Sequence, residues 1–381
     1  MSIFNDVAIV AVAESDLGIV PHLNSADLMA QASIRALKEA GLSKHDVDGL
    51  FSTSAHYSMP TLTLAEYMGI TPKYMDATSI GGSSFVSLVA HAAQAISNGL
   101  CEVALIAYGS TQRTDGGGLA NISEPFNHEA PYGNFDPISS YALVAQRHMY
   151  EFGTTRNQLS EVAVAARKWA SMNSKAFKRE PLTLDDVSNS TLISTPLTKL
   201  DCCLITDGGA ALVLTTKEKA KSLNKEPIYI WGYGESTTHR SIVSMPNLVE
   251  TAAKLSGLSA YEMAGVGPSD IDVVQLYDAF SINVILFLED LGFCPKGEGG
   301  SFVANGAIAP GGRLPVNTNG GGLSYCHPGM YGLFTVIEGV RQLRKECGER
   351  QIDNCRIALA NGNGGVLSSQ VTMILSNEAG A

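Results

Sequence analysis

Long apolar runs, surplus positive charge and regularly spaced cysteines are all scarce in this 381-residue chain, and each scarcity closes off a class of function. Every hydrophobic stretch is broken by Gly, Ser or a polar residue well short of the roughly 20 residues a membrane-spanning helix needs, so no membrane association is expected. Lys and Arg number 26 against 37 Asp and Glu, a net charge of −11. That balance argues against nucleic acid or an anionic membrane surface as the main partner, while leaving room for a local basic groove. The seven cysteines are odd in number and none has metal-finger spacing. They read as reduced, mostly buried thiols of a cytoplasmic protein, with no metal site. The opening segment MSIFNDVAIVAVAESDLG has no basic leader ahead of an apolar core, so no secretory signal is expected.

What the chain does have is 45% hydrophobic and 17% charged residues, an ordinary globular composition, and a sequence that repeats itself. Residues 36–50, ALKEAGLSKHDVDGL, align without a gap on residues 260–274, AYEMAGVGPSDIDVV. Ala40, Gly41, Asp46 and Asp48 match Ala264, Gly265, Asp270 and Asp272. Each copy reads as an amphipathic helix ending at a glycine, then an acidic turn, then an apolar strand. A second pair follows in the same order: CEVALIAYGS at 101–110 and CRIALANGNG at 355–364, each a buried strand entering a glycine turn. Each is preceded by a helix expected to begin at a glycine-rich bend, Gly81–Ser84 in the first half and Gly320–Gly322 in the second. Alternating strands and helices imply α/β layers. Between the copies, residues 112–140 read as loop and are followed by a helix with the capping pair Thr155 and Gln158. The polar stretch at 217–227 divides the halves.

Two duplicated halves, an insertion inside the first and equivalent glycine bends together resemble the thiolase superfamily over essentially the whole chain. The segments that carry the likeness are DGGAALVL at 207–214, YDAFS at 277–281, GRLPVN at 312–317 and NTNGGGLSYCHPGMYG at 317–332. They are more similar to the lipid-transfer-protein, or sterol-carrier-protein-like, branch than to acetoacetyl-CoA thiolases. Tyr-Asp-Ala-Phe with His-Pro-Gly-Met-Tyr-Gly resembles the thiolase-like aldolases of steroid side-chain degradation. The resemblance implies a duplicated five-layer α-β-α-β-α thiolase fold, with residues 1–225 as the first half, an insertion at about 112–200, and 226–381 as the second half.

Thiolases hold a nucleophilic thiolate at the start of a buried helix, where amides and the helix dipole stabilise it. By resemblance that position is Gly82, or Ser83 if the bend slips by one, and neither is cysteine. These residues read either as a bend that admits a ligand or, at Ser83, as an alcohol in need of a base. His327 matches the histidine of the family's Gly-His-Pro motif, implying proton transfer and an oxyanion hole. The family's preceding glycine is Cys326 here, either a nucleophile or a packed thiol. Tyr277 stands where other thiolases carry an Asn or His, and Tyr331 lies four residues beyond His327, one helical turn away if helical. Both tyrosines have core packing as the rival reading. Asp278 is a base or a turn carboxylate. Asn361 and Gly362 belong to the last active-site loop, which in many members carries a second cysteine, and Asn361 either touches substrate or only helps shape the pocket. Asp207-Gly208 reads as a structural turn.

Without the cysteine, thiolysis is not expected, whereas a retro-aldol cleavage needs only a base, an acid and donors for the enolate oxygen. Tyr277, Tyr331 and His327 are of the right kinds for these tasks. No bound cofactor is expected, coenzyme A arriving as part of the substrate. The resemblance also implies a homodimer and a small partner built from an OB-fold and a zinc ribbon. An acyltransferase using Cys326 or Ser83, and a non-catalytic acyl-CoA-binding subunit, are the alternatives.

Overall fold

A computed structural model describes residues 4, 6–115 and 130–380. Of the loop expected at 112–140, residues 116–129 lie outside the described residues. The first half runs β1 (Val7–Glu14), α1 (Ser25–Ala40), β2 (Gly49–Ser52), α2 (Pro60–Met68), β3 (Tyr74–Asp76), α3 (Ser84–Ser97) and β4 (Val103–Ser110). The insertion holds α4 (Ile138–Phe152), α5 (Arg156–Ser171), α6 (Leu184–Ser188) and a hairpin of β5 (Leu192–Ser194) and β6 (Leu197–Thr198). The chain returns through β7 (Gly208–Thr216) and α7 (Lys217–Ala220). The second half is β8 (Ile228–Thr237), α8 (Ala253–Ala264), β9 (Val273–Leu276), α9 (Ser281–Asp290), α10 (Gly299–Val303), α11 (Gly332–Leu343), β10 (Ile357–Gly364) and β11 (Ser369–Ser376).

The duplication read from the sequence is reproduced in detail. α1 ends at Gly41 and α8 at Gly265, with left-handed φ of 78° and 69°, values that a Cβ would strain. Each glycine is followed by one 3₁₀ turn, Lys44–Asp46 or Pro268–Asp270, and then by β2 or β9. Asp48 accepts the amides of Glu102 and Val103 where β4 begins. Asp272 does the same for Arg356 and Ile357 where β10 begins. The matched aspartates therefore tie each strand to its parallel neighbour.

The strands follow the order β3-β2-β4-β7-β1-β8-β11-β10-β9. The join between halves is slender: among the described residues, β1 and β8 pair only at Ala8–Tyr229 and Ile9–Ile228. There the sheet doubles back. α3 packs on β2, β4 and β7 and also on β10 and β11, while α11 packs on β9 and β10 and also on β1 and β7. These two helices, buried along nearly all their length, form the central layer. α1 covers the far face of the first half-sheet and α8 that of the second, which completes the five layers α-β-α-β-α. The capping box at Thr155 and Gln158 starts α5 as expected, and α5 packs against α9 and α10.

One expectation fails. α3 starts directly after its glycine bend, but α11 does not begin at Gly320–Gly322. Gly320 and Gly321 take left-handed φ of 104° and 63° and open a single wide turn over Gly321–Tyr325. Cys326–Tyr331 then run as an irregular loop, because Pro328 cannot donate an amide and Gly329 has φ of 94°. α11 starts only at Gly332.

Candidate active site

The starts of α3 and α11 meet head to head in the central layer. A Cβ on Gly332 would run into the carbonyl oxygen of Gly82, so glycine is required for the two helix starts to approach. Onto this junction β9 delivers Tyr277. A Cβ built on Gly82 would overlap the Tyr277 ring and lie 2.7 Å from its hydroxyl oxygen. The phenol therefore occupies the space that a side chain at position 82 would need. By resemblance Gly82 is the nucleophile's position, and the phenol stands against it.

Tyr277 is only 4% exposed and its hydroxyl lies 3.0 Å from His327 Nε2 and 3.4 Å from the carbonyl oxygen of Gly329. Burial holds the phenol well above its usual pKa, an effect that the nearby Cys203 and the phenols of Tyr108 and Tyr141 reinforce. His327 is pushed down to about 4, again by burial, and its own backbone carbonyl is the group that opposes the shift. The ring is therefore neutral, and its Nε2 faces the Tyr277 hydroxyl.

Tyr331 is the N-cap residue of α11 and not one helical turn along from His327, since Gly329 breaks the path between them. The loop nonetheless stacks the two rings, 6.2 Å between centroids at 19°. Tyr277 meets Tyr331 edge-on at 5.8 Å. The Tyr331 hydroxyl donates to Asn319 Oδ1 at 2.9 Å, and burial holds it too well above the usual phenol range. The three residues singled out for catalysis thus form one aromatic cluster.

The other candidates divide. Ser83 is fully buried, with its hydroxyl 2.8 Å from the carbonyl of Ile80 and 3.1 Å from Ser369 Oγ, an arrangement without a base. Cys326 is fully buried and its thiol is held well above the usual range by burial and by the charges of Glu14 and Asp278. It is a packed thiol rather than a thiolate. Asp278 accepts the amide of Gly322 at 2.6 Å and that of Leu323 at 3.3 Å, so its carboxylate organises the wide turn. Burial pushes it up to about 7. Gly362 faces the start of α3, where a Cβ would lie 3.0 Å from Ser83 Cα. Strand alternation turns Asn361 the other way, where its amide reaches Thr372 Oγ1 at 3.2 Å, and Thr372 in turn meets Ser256 of α8. Asn361 therefore points into the outer layer. Asp207 is a hub for backbone, accepting the amides of Val20, Arg113 and Thr114.

Some neighbours of the cluster were not evident in the sequence. Thr206 accepts the His327 amide at 3.0 Å, and its own amide reaches the His327 carbonyl at 3.3 Å. Asn319 holds Tyr331, and Tyr108 contacts the loop on both sides of Gly329. Tyr108 and Asn319 each stand beside a glycine, which was the available signal, and Thr206 carries none.

Comparison with known proteins agrees with this architecture. Residues 234–377 match the family "Thiolase C-terminal domain-like". The chain is 33% identical to an acetyl-CoA acetyltransferase of Methanothermobacter thermautotrophicus, over 97% of this chain and 99% of that one. It is 34% identical to the 17-hydroxy-3-oxo-4-pregnene-20-carboxyl-CoA lyase of Mycobacterium tuberculosis, over 88% and 91%. Among solved structures, one described as an Ltp2-ChsH2(DUF35) aldolase superposes with a TM-score of 0.89 at 31% identity, covering 98% of both chains. The relatives carry the names of two reactions on one scaffold, so the scaffold alone does not choose between them. The chain belongs to the thiolase superfamily and resembles its steroid side-chain aldolases.

Proposed function

We propose that this chain is a thiolase-like aldolase that cleaves the Cα–Cβ bond of a β-hydroxyacyl-CoA, releasing a ketone or aldehyde and a shorter acyl-CoA. The observation that carries the reading is the phenol of Tyr277 standing over Gly82, at 3.0 Å from a neutral His327. Acyl transfer needs a nucleophile at that helix start, and the phenol fills its space.

In this mechanism the β-hydroxyl proton passes to the Tyr277 oxygen as the Tyr277 proton passes to His327 Nε2. The Cα–Cβ electron pair moves onto the thioester as an enolate, and the β-carbon leaves as the carbonyl product. The proton then returns through Tyr277 to Cα, so none is gained or lost. Burial disfavours an isolated phenolate and an isolated imidazolium alike. Coupling both transfers to bond cleavage forms the imidazolium together with the enolate, so each charge has a partner. Tyr331 supports Tyr277 through its ring and is the second candidate acid. Coenzyme A enters as part of the substrate, and the balance of the reaction calls for no separate cofactor.

The relatives named for steroid side-chain substrates favour a steroid-derived acyl chain. The aldolase described with a DUF35 partner favours a partner of that type here. The family resemblance adds the form of that partner, an OB-fold with a zinc ribbon, and a homodimer, placed in the cytoplasm. Among the described residues no helix is long and apolar enough to cross a membrane.

The test is incubation with a panel of β-hydroxyacyl-CoA thioesters, with and without such a partner, while watching for released ketone or aldehyde. A Tyr277→Phe/Tyr331→Phe variant that keeps near-normal turnover would sink the reading. An acyl-enzyme trapped by mass spectrometry would favour the acyltransferase instead.

A further inference from the structure

The loop that carries His327 and leads to Tyr331 makes almost no regular backbone hydrogen bonds, so its polar groups must be held by something else. Accounting for them singles out a residue of the first half. The His327 amide and carbonyl go to Thr206. Pro328 has no amide, and its carbonyl accepts the hydroxyl of Tyr108. The Gly329 carbonyl faces the Tyr277 hydroxyl at 3.4 Å. The Met330 amide returns to Tyr108 Oη at 3.1 Å. The Tyr331 carbonyl accepts the amide of Phe334. Tyr108 alone therefore grips both sides of Gly329, at the residue whose φ of 94° makes this the most permissive point of the loop.

Tyr108 is itself well anchored. It lies near the end of β4, is 1% exposed, and packs its ring on Phe85 of α3 at 4.9 Å between centroids. Ser110, the next residue on the same face of β4, places its oxygen 3.1 Å from Nε2 of the part-buried His56. A rigid strand of the first half thus holds, through one phenol, the flexible element on which the second half mounts its histidine.

We infer that Tyr108 is a positioning residue for the reaction proposed above: its hydroxyl fixes the Pro328–Met330 turn and so sets His327 and Tyr331 against Tyr277. Removing it loses two hydrogen bonds at a glycine hinge while every ring stays in place, and misplacing reacting groups by about 1 Å costs on the order of 100-fold in rate.

The experiment is Tyr108→Phe in the full chain, which keeps the packing on Phe85. Hydrogen exchange followed by mass spectrometry reads the loop at 326–332 independently of catalysis. Kinetics on whichever β-hydroxyacyl-CoA the unaltered chain cleaves read the link to the reaction. The expected results are faster exchange confined to this loop and kcat lowered on the order of 10- to 100-fold with KM within about threefold. Phe85→Leu, which loosens the packing of the Tyr108 ring but leaves its hydroxyl in place, is expected to move both in the same direction by less, and it carries the test should Tyr108→Phe not fold. Exchange that matches the unaltered chain in the folded variant overturns the clamp, whatever reaction the chain performs. Faster exchange with unaltered kcat overturns the positioning role and leaves a structural one. An unaltered chain that cleaves no β-hydroxyacyl-CoA sinks the aldolase reading alone, because the exchange measurement still decides the clamp.

Discussion

The two halves of this chain share their order of strands and helices, their αL glycines and even the aspartates that tie neighbouring strands, yet their chemistry is unequal. The first half brings to the centre a helix start with no usable side chain: Gly82 has none, and Ser83 is bonded to its own bend. The second half brings Tyr277, His327 and Tyr331 to the same point. Duplication supplied two equivalent helix starts, and what distinguishes them is the loop inserted before α11. A helix that begins directly at its bend offers backbone amides; a helix delayed by an irregular loop can also present side chains from several directions. In such a frame a large residue from one half can occupy the void left by a small residue in the other, as Tyr277 does over Gly82.

The sharpest way to break the comparison is to silence the second half. Tyr277→Phe keeps the ring over Gly82 and removes only the oxygen that meets His327. The loss in kcat should be about 10²- to 10⁴-fold, the usual range for general acid–base groups, with the fold unchanged by circular dichroism. Turnover within threefold of the parent would remove Tyr277 from the chemistry.

The next largest effect comes from refilling the first half. Gly82→Cys has no room for its side chain, so the variant should lose about 1–3 kcal/mol of stability through overpacking and gain no acylation. Gly82→Cys/Tyr277→Asn clears the space and sets a thiol at the start of α3. Incubated with acyl-CoA, only the double variant should gain the mass of an acyl group. An adduct on the single variant would show that the phenol does not occupy the nucleophile's place.

How far the sequence foretold this can be judged residue by residue. The gapless match of 36–50 to 260–274 was enough to foresee αL glycines at 41 and 265 and the strands behind them, because such signals are local: a helix, a glycine that must take positive φ, an acidic turn. The motif around His327 likewise pointed to residues that the fold gathers with Tyr277. What was not legible depended on contacts distant in the chain. That Tyr277 lies on Gly82 joins residues 195 positions apart, and no periodicity encodes it. Tyr331 was foreseen beside His327 through helical spacing, and it is there, but a loop with a left-handed glycine brings it. The start of α11 was misplaced because three glycines look alike whether they open a helix or a wide turn, and the amides that Asp278 holds decide between the two. Asn361 and Gly362 were not separable in the sequence, although neighbours on a strand face opposite sides.

A smaller effect separates the two phenols. Tyr331 donates to Asn319 rather than to His327, so Tyr331→Phe should lower kcat less than Tyr277→Phe, by about tenfold. Equal losses in the two variants, measured on the same substrate, would mean that the phenols act as a pair and that the contact with His327 does not rank them.

The smallest effect tests the burial that governs the site, through two groups whose pKa values move in opposite senses. Asp278 is raised from 3.8 to about 7, so between these values the folded chain keeps a proton that the unfolded chain releases. Its contribution to stability is therefore lost as pH rises through that window. His327 is lowered from 6.5 to about 4, so there the unfolded chain binds the extra proton and stability is lost as pH falls. The two trends oppose one another and partly cancel in the parent, and single variants uncover them. Relative to the parent, Asp278→Asn should gain stability progressively as pH rises from 4 to 7, whatever constant offset its altered hydrogen bonds to Gly322 and Leu323 introduce. His327→Gln should gain relative stability as pH falls from 6.5 to 4. Denaturant unfolding of the three chains across this range gives both difference curves. Curves of the same slope, or flat ones, would mean that water reaches these groups in the folded state, and the coupling of both proton transfers to bond cleavage would lose its physical basis.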